Sequence, residues 1–278
     1  MSAPLPTASR WNTYSRSRYP QLWDRCEHAW CPSVIAGGAT VFPLANRSRS
    51  FGVGSNLLAD VWQVSSGGYS LRNTGTTTEA FIPGTASQLN WSILRAFAGW
   101  FSVGGAASLF WMWDLVVGVN QRTLQFNANA NGTLTNHWSR NGFDDGTPLT
   151  TTLSLNPGFN HCGLQWNEQQ QVRQIFLNGV LAASEARATV NLSPTTNRLG
   201  ILAAPALTGN ASSIGNVDDI RIYSRALHPN EWRLLATRRA IAYEPAYRPI
   251  SYGETDAGGG VAKPVLFHSY YMSQGMRP

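Results

Sequence analysis

The sequence predicts an all-β, two-sheet antiparallel sandwich carrying one short C-terminal helix and extended arms, and three stretches carry that prediction. In the first, Cys162, Leu164 and Trp166 share one face of a strand by strict alternation. In the second, the polar turn Asn167-Glu168-Gln169-Gln170 leads into the apolar run 172–177, which Asn178-Gly179 joins to a further run at 180–184. Asn-Gly between two apolar runs is the strongest short-range hairpin signal, because a type I′ turn requires positive φ at both central residues. In the third, Gly215 to Leu227 reads as a long strand ending in Tyr223 and an Ala226-Leu227 pair, with a helix following from about 229 to 239.

Composition agrees. Of 278 residues, 43% are hydrophobic and eleven are Trp, which excludes a disordered chain and allows a sizeable core. Taken in order, residues 1–21 are polar and contain Arg and Pro, and they read as an extended arm. The sandwich is expected over 22–239. Its elements include a strand at 28–33, a second through Val41-Phe42-Pro43-Leu44, and further ones at 67–72 and 81–83. Residues 96–113 carry no charge over eighteen positions, but Gly104-Gly105 at the centre and the alternation of Phe97, Gly99, Phe101 and Val103 argue for two buried strands joined by a turn, not a membrane span. Asn131-Gly132 and Asn141-Gly142 add hairpin signals. Pro229 suits a first helical turn, and Trp232, Leu235 and Ala236 form an apolar stripe that should dock on the sandwich. His228 stands where Ser or Thr usually caps, which predicts a weaker helix start. Residues 240–278 read as an extended tail with a hinge at Gly258-Gly259-Gly260.

The Gly215–Ala240 ending, a Gly, a Val-Asp-Asp-Ile strand, a Tyr, an Ala-Leu pair and a Pro/Glu-initiated helix, resembles the closing half of a laminin G-like, or concanavalin A-like, jelly-roll domain. The opening from His28 to Ser33 resembles the first strand of such domains in phages and environmental bacteria, so the resemblance spans about residues 22–243. It implies a concanavalin A-like jelly roll. It leaves function open, because one fold hosts lectins, adhesion modules, hydrolases and structural domains.

Charge is unevenly placed. The net charge is +6. Arg10, Arg16, Arg18 and Arg25 against Asp24 give residues 1–25 a net of +3, and residues 237–278 hold a net of +2, so the 211 residues between them carry only +1. A nucleic-acid reader would place a basic stripe on the folded body, so no nucleic-acid partner is expected. The first six residues, Met1-Ser2-Ala3-Pro4-Leu5-Pro6, show no apolar stretch of a secretory signal.

No catalytic residue is assigned. Asp144-Asp145 sits in turn chemistry, and Asp218 shares strand parity with Ile220 and Ile222, which would point it into the core. In relatives an acid at this position can help hold Ca²⁺, but Thr77-Thr78-Glu79-Ala80 replaces the family's usual acidic pair, so no cofactor is expected and calcium is the alternative. Cys26, His28, Cys31 and His161-Cys162 match no strong zinc spacing. Trp111, Trp113 and Trp138 are the candidate sugar-stacking residues, although shared parity of Trp111 and Trp113 suits a core stripe equally. Arg10, Trp11, Arg16, Arg18, Leu266, Phe267, Tyr270 and Tyr271 are candidate assembly contacts, since Arg and aromatics are enriched at interface hot spots.

The expectation is therefore a non-enzymatic structural or interaction protein: a phage virion component such as a capsid decoration, fibre or tail protein, partnered by other subunits or by copies of itself. It would reside in the virion, with the cell surface or extracellular space as the alternative. A carbohydrate-binding lectin-like module with glycan partners is the alternative function, and a glycoside hydrolase the third.

Overall fold

A computed structural model describes residues 18–34, 40–41, 51–52, 62–65, 68–74, 81–85, 88–116, 119–138, 147–190, 198–205 and 210–243. Eighteen strands are found there: β1 Cys26–Trp30, β2 Thr40–Val41, β3 Phe51–Gly52, β4 Trp62–Ser65, β5 Gly68–Asn73, β6 Phe81–Thr85, β7 Ala96–Val103, β8 Ala107–Val116 and β9 Val119–Ala128. The chain continues through β10 Thr133–His137, β11 Leu149–Ser154, β12 Asn160–Asn167, β13 Val172–Leu177, β14 Val180–Ala186, β15 Arg198–Ile201, β16 Ala203–Pro205, β17 Asn210–Ser212 and β18 Gly215–Tyr223. One α-helix follows, α1 Pro229–Leu235. The expected all-β architecture is present.

Two antiparallel sheets form the sandwich. One has eight strands in the order β14-β13-β12-β7-β18-β5-β4, with β1 also on β18; the other has six, β11-β10-β9-β8-β15-β6. β7 and β8 are consecutive but lie in different sheets, so the uncharged 96–113 stretch folds as two strands that cross the sandwich. Apolar residues on alternating positions meet between the sheets: Phe97 and Phe101 of β7, Leu164 of β12, and Phe110, Met112, Leu124 and Phe126 of β8 and β9 are all fully buried. The Asn178-Gly179 hairpin has φ of 50° and 79°, as a type I′ turn demands.

A second apolar layer covers the outer face of the eight-stranded sheet. It is built from a 3-10 turn at Pro20–Trp23, from α1, and from a second 3-10 turn at Ile241–Tyr243. Three sequence expectations change here. The helix ends at Leu235, short of 239. Residues 241–243, assigned to the tail, are buried against Trp23. The helix start is not weak, because His228 Nδ1 accepts from Asn230 N while His228 N donates to Glu231 Oε2 at 2.8 Å, a reciprocal capping box made with His instead of Ser.

Asp218 also departs from expectation. Val217, Ile220 and Ile222 face the inner core, but Asp218 faces the outer layer, with Cys31, Arg221 and Tyr223. The register of β18 against β7 shifts between Asp218 and Arg221, and Asp219 has φ 43°. A β-bulge inserts one residue and inverts the parity that simple alternation assumes.

Candidate functional site

The three candidate tryptophans separate. Trp138 follows β10 in phase with buried Leu134 and is fully buried, edge-on to Phe97 at 5.5 Å and tilted against Trp91 at 6.2 Å. It is a core residue and offers no face to a ligand, so its assignment to a sugar platform is corrected. Trp113 lies in β8 opposite Arg122, and its side chain is outside the described residues. Trp111 is half-buried and lies between core residues Phe110 and Met112, so alternation turns it to the outer face of the six-stranded sheet.

Register builds a row around it. Trp111 is opposite Gln125 of β9, Gln125 is opposite His137 of β10, and on the other flank Trp111 is opposite Gly200 of β15. Gly200 presents no side chain beside the indole. In β9, Leu124, Phe126 and Ala128 enter the core, which sends Gln125 and Asn127 to the outer face with Trp111, while Thr123 is fully buried where the register against β8 shifts.

The hydrogen bonding of this row is incomplete. Thr123 Oγ1, Gln125 Oε1 and Asn127 Oδ1 are buried oxygens with no hydrogen-bond partner. The adjoining β9–β10 turn is the opposite case: Asn129 Nδ2 donates to Thr133 Oγ1 at 2.9 Å, Thr133 Oγ1 donates to Asn131 Oδ1 at 2.7 Å, and Thr135 Oγ1 donates to Asn129 Oδ1 at 3.3 Å. The turn satisfies itself, whereas the three oxygens of β9 are closed off from solvent without a partner. Trp138 Nε1 is also unpartnered, but it sits within the sealed core. The row escaped the sequence reading, although the alternation Thr-Leu-Gln-Phe-Asn-Ala at 123–128 signals a strand with one polar face.

Among the described residues, the paired carboxylates of β18 are committed to the fold. Asp218 and Asp219 are buried beneath the outer layer. Asp218 Oδ1 accepts from Ser33 N and Asp219 N, and its other oxygen lies 3.4 Å from Arg239 Nη1. Burial, then the neighbouring Asp219 charge, push its carboxyl up to about 7. Asp144-Asp145 and Thr77–Ala80 lie outside the described residues.

An open groove of about 1240 Å³ runs between β12–β14 and the 224–231 segment. Its acids are also engaged: Arg225 grips both Glu231 oxygens at 2.6 and 2.7 Å, Arg95 Nε donates to Glu168 at 3.2 Å, and Glu27 accepts from Ser224 Oγ at 2.6 Å. Burial pushes the Glu231 carboxyl up, but the Arg225 and His228 hydrogen bonds outweigh it and hold it below its usual range. A general acid requires the reverse.

Among the described residues, no group of three or more His, Cys, Asp or Glu side chains could hold a metal. His28 Nε2 bonds to Leu89 O instead, and Cys162 lies in the inner core, away from Cys26 and Cys31. No described helix is long and apolar enough to cross a membrane. Of the assembly candidates, Arg18 is exposed, with its guanidinium 5.5 Å from the Tyr19 ring. Arg10, Trp11, Arg16, Leu266, Phe267, Tyr270 and Tyr271 lie outside the described residues.

Residues 63–231 match the family described as the Concanavalin A-like lectin/glucanases superfamily through its laminin G-type family model. That is more than half of the chain, and the protein belongs to this family. No curated protein matches it. Among solved structures, a Trypanosoma rangeli sialidase in complex with sialic acid superposes with a TM-score of 0.55 at 14% identity, covering 77% of this chain and 33% of the sialidase. A mutant of that sialidase displaying trans-sialidase activity gives 0.54 at 14% identity, with the same coverage. A Ruminococcus gnavus IT-sialidase CBM40 bound to α2,3 sialyllactose is more distant, at 0.46 and 13% identity over 60% of this chain and 98% of that one. The chain thus spans about a third of the length of the trypanosomal sialidases, and identities this low establish a shared fold alone.

The comparisons overturn the expectation of a phage virion component. The matching family is described as one of lectins and glucanases, not of particle proteins.

Proposed function

We propose that this domain is a non-enzymatic carbohydrate-binding module whose ligand lies on the outer face of the six-stranded sheet, across Trp111, Gln125 and Asn127. One observation carries the reading: a half-buried indole, Trp111, shares an outer strand face with the half-buried side-chain amides of Gln125 and Asn127. A sugar offers an apolar C–H face for the indole, and hydroxyls that can both accept from and donate to side-chain amides. Strands hold the row rigid, which lowers the ordering cost of binding. The engaged state of Glu27, Glu168 and Glu231, and the burial of Asp218 and Asp219, favour binding over hydrolysis.

Glycan-array screening followed by titration calorimetry tests the reading. Trp111→Ala should weaken binding by about thirtyfold, the effect of truncating an aromatic anchor worth ~2 kcal/mol. Gln125→Leu should weaken it by about tenfold, and the bound glycan should be recovered uncleaved. Binding untouched by both substitutions would remove the site; cleavage would remove the non-enzymatic reading.

A further inference from the structure

We infer that Asn131, in the turn between β9 and β10, is a site of spontaneous deamidation, and that the fold protects Asn178 from the same reaction. Each is followed by Gly, and these are the two Asn-Gly pairs among the described residues. In such a pair the Gly nitrogen gives its proton to hydroxide and bonds to the Asn Cγ. The Cγ–Nδ2 bond then breaks, and the amide nitrogen takes a proton from water and leaves as ammonia. Water opens the resulting succinimide at either carbonyl, which yields Asp or its isoaspartyl form. One water enters for each ammonia released, and nothing is oxidised or reduced. Glycine favours the attack because no Cβ crowds its nitrogen.

At Asn131 the surroundings assist the reaction. The residue is exposed, and its Oδ1 accepts from Thr133 N at 3.1 Å and from Thr133 Oγ1 at 2.7 Å. Negative charge collects on Oδ1 when Cγ becomes tetrahedral, so both donors are aimed at the atom that needs them, as in an oxyanion hole. The peptide between Asn131 and Gly132 must turn for the attack. That breaks the bond from Gly132 N to Asn129 O at 2.9 Å and the one from Ser154 Oγ to Asn131 O at 3.4 Å. Both lie in a surface turn where water replaces them, so opening costs little.

Asn178 is exposed too, but its side chain braces the sheet. Oδ1 accepts from His161 N at 2.9 Å, and Nδ2, the group that would leave, donates to Asn160 Oδ1 at 3.0 Å. Asn160 and His161 are both buried, so turning the Asn178 side chain strands a buried N–H with no water to replace the bond. Gly179 is buried as well, and a Cβ built on it would lie 2.8 Å from the Arg233 Cα of α1, which leaves the Asn178–Gly179 peptide little room to rotate. The same dipeptide is thus free to react in one hairpin and locked in the other. At Asn131 the isoaspartyl product would add a methylene to the main chain between β9 and β10 and put a carboxylate where a neutral amide stood.

The test is site-resolved peptide mapping by mass spectrometry, with isoaspartyl methyltransferase labelling, on the full chain aged at neutral and mildly alkaline pH, both native and in urea. In the native protein Asn131 should convert at least about tenfold faster than Asn178, and faster still at the higher pH, where hydroxide takes the Gly132 proton more often. In urea the two rates should converge to within about threefold, because only the fold separates them. Asn160→Ala releases Asn178 Nδ2 and should raise the rate at Asn178 while leaving that at Asn131 unchanged. Asn178 converting as fast as Asn131 in the native protein would overturn the inference, as would an Asn131 that stays intact natively yet converts in urea. A rate at Asn178 unmoved by Asn160→Ala would overturn the protective role given to its side-chain bonds.

Discussion

Arg221 donates through Nε to Asp219 Oδ1 at 2.9 Å while its guanidinium lies 4.7 Å from the Trp23 ring and 4.6 Å from the Tyr243 ring. Trp23 and Tyr243 are 220 positions apart in the chain, and Trp23 Nε1 donates to Ala242 O at 2.9 Å. One buried guanidinium therefore ties both ends of the described fold to β18. Asp219 completes the tie by accepting Ala240 N at 2.9 Å. The left-handed bulge at Asp219 makes this arrangement, because it puts Asp219 and Arg221 under the same outer layer.

Arg221→Ala should destabilise the domain by about 3–5 kcal/mol, since it strands the buried Asp219 carboxylate. Arg221→Lys should recover little of this, because an ammonium cannot stack between two rings as a planar guanidinium does. Urea unfolding followed by tryptophan fluorescence measures both variants. A loss below about 1 kcal/mol for Arg221→Ala would show that the tie is dispensable.

Asp218 should give a defined pH signature. Its folded pKa, about 7, lies above the ordinary carboxylate value, so the native state holds its proton where the unfolded state has released it. Its contribution is therefore most favourable below pH ~4, declines as pH rises to ~7, and is constant above. Asp218→Asn removes the titration and keeps an acceptor for Ser33 N and Asp219 N. The stability of Asp218→Asn relative to the native sequence should rise across that window and then level. A flat difference between pH 4 and 8 would contradict the assignment.

Trp138→Ala should cost about 3–5 kcal/mol, as truncating a large buried aromatic does. Trp138→Phe should cost much less, because the indole N–H it removes has no partner. Neither should alter glycan affinity in the folded protein. Thermal unfolding and titration separate this pattern from that of Trp111→Ala, which should spare stability and weaken binding.

Gly163→Ala should displace helix α1. A Cβ at Gly163 would collide with the Trp232 ring, which stacks on Phe176 at 4.5 Å and donates through Nε1 to Gln165 Oε1 at 3.0 Å. The helix must lift or the strand must bend, and overpacking of this kind costs about 1–3 kcal/mol or more. Hydrogen exchange at Glu231–Ala236 should accelerate ahead of the strands; unchanged protection would mean the layer tolerates the added methyl.

The local chemistry of this chain was legible from its residues. Asn178-Gly179 announces a hairpin because only a few residue types accept positive φ, and the run from Gly215 to Leu227 marks the closing strand of its family. The alternation of Leu124 and Phe126 with Gln125 and Asn127 contains the polar face as well, since side-chain direction in a strand is local. What the sequence could not order was the third dimension. Alternation says that Trp111 and Trp138 each face one side of a strand, but only the stacking of the two sheets decides that Trp138 meets Phe97 in the core while Trp111 meets Gln125 outside it. Alternation also misplaced Asp218, because one extra residue at Asp219 reverses parity and nothing local marks an Asp for a left-handed bulge. The sequence alone thus determined the strands, their turns and the family; the packing of distant segments decided which tryptophan can meet a ligand, because burial is a property of what lies opposite a side chain and not of the side chain itself.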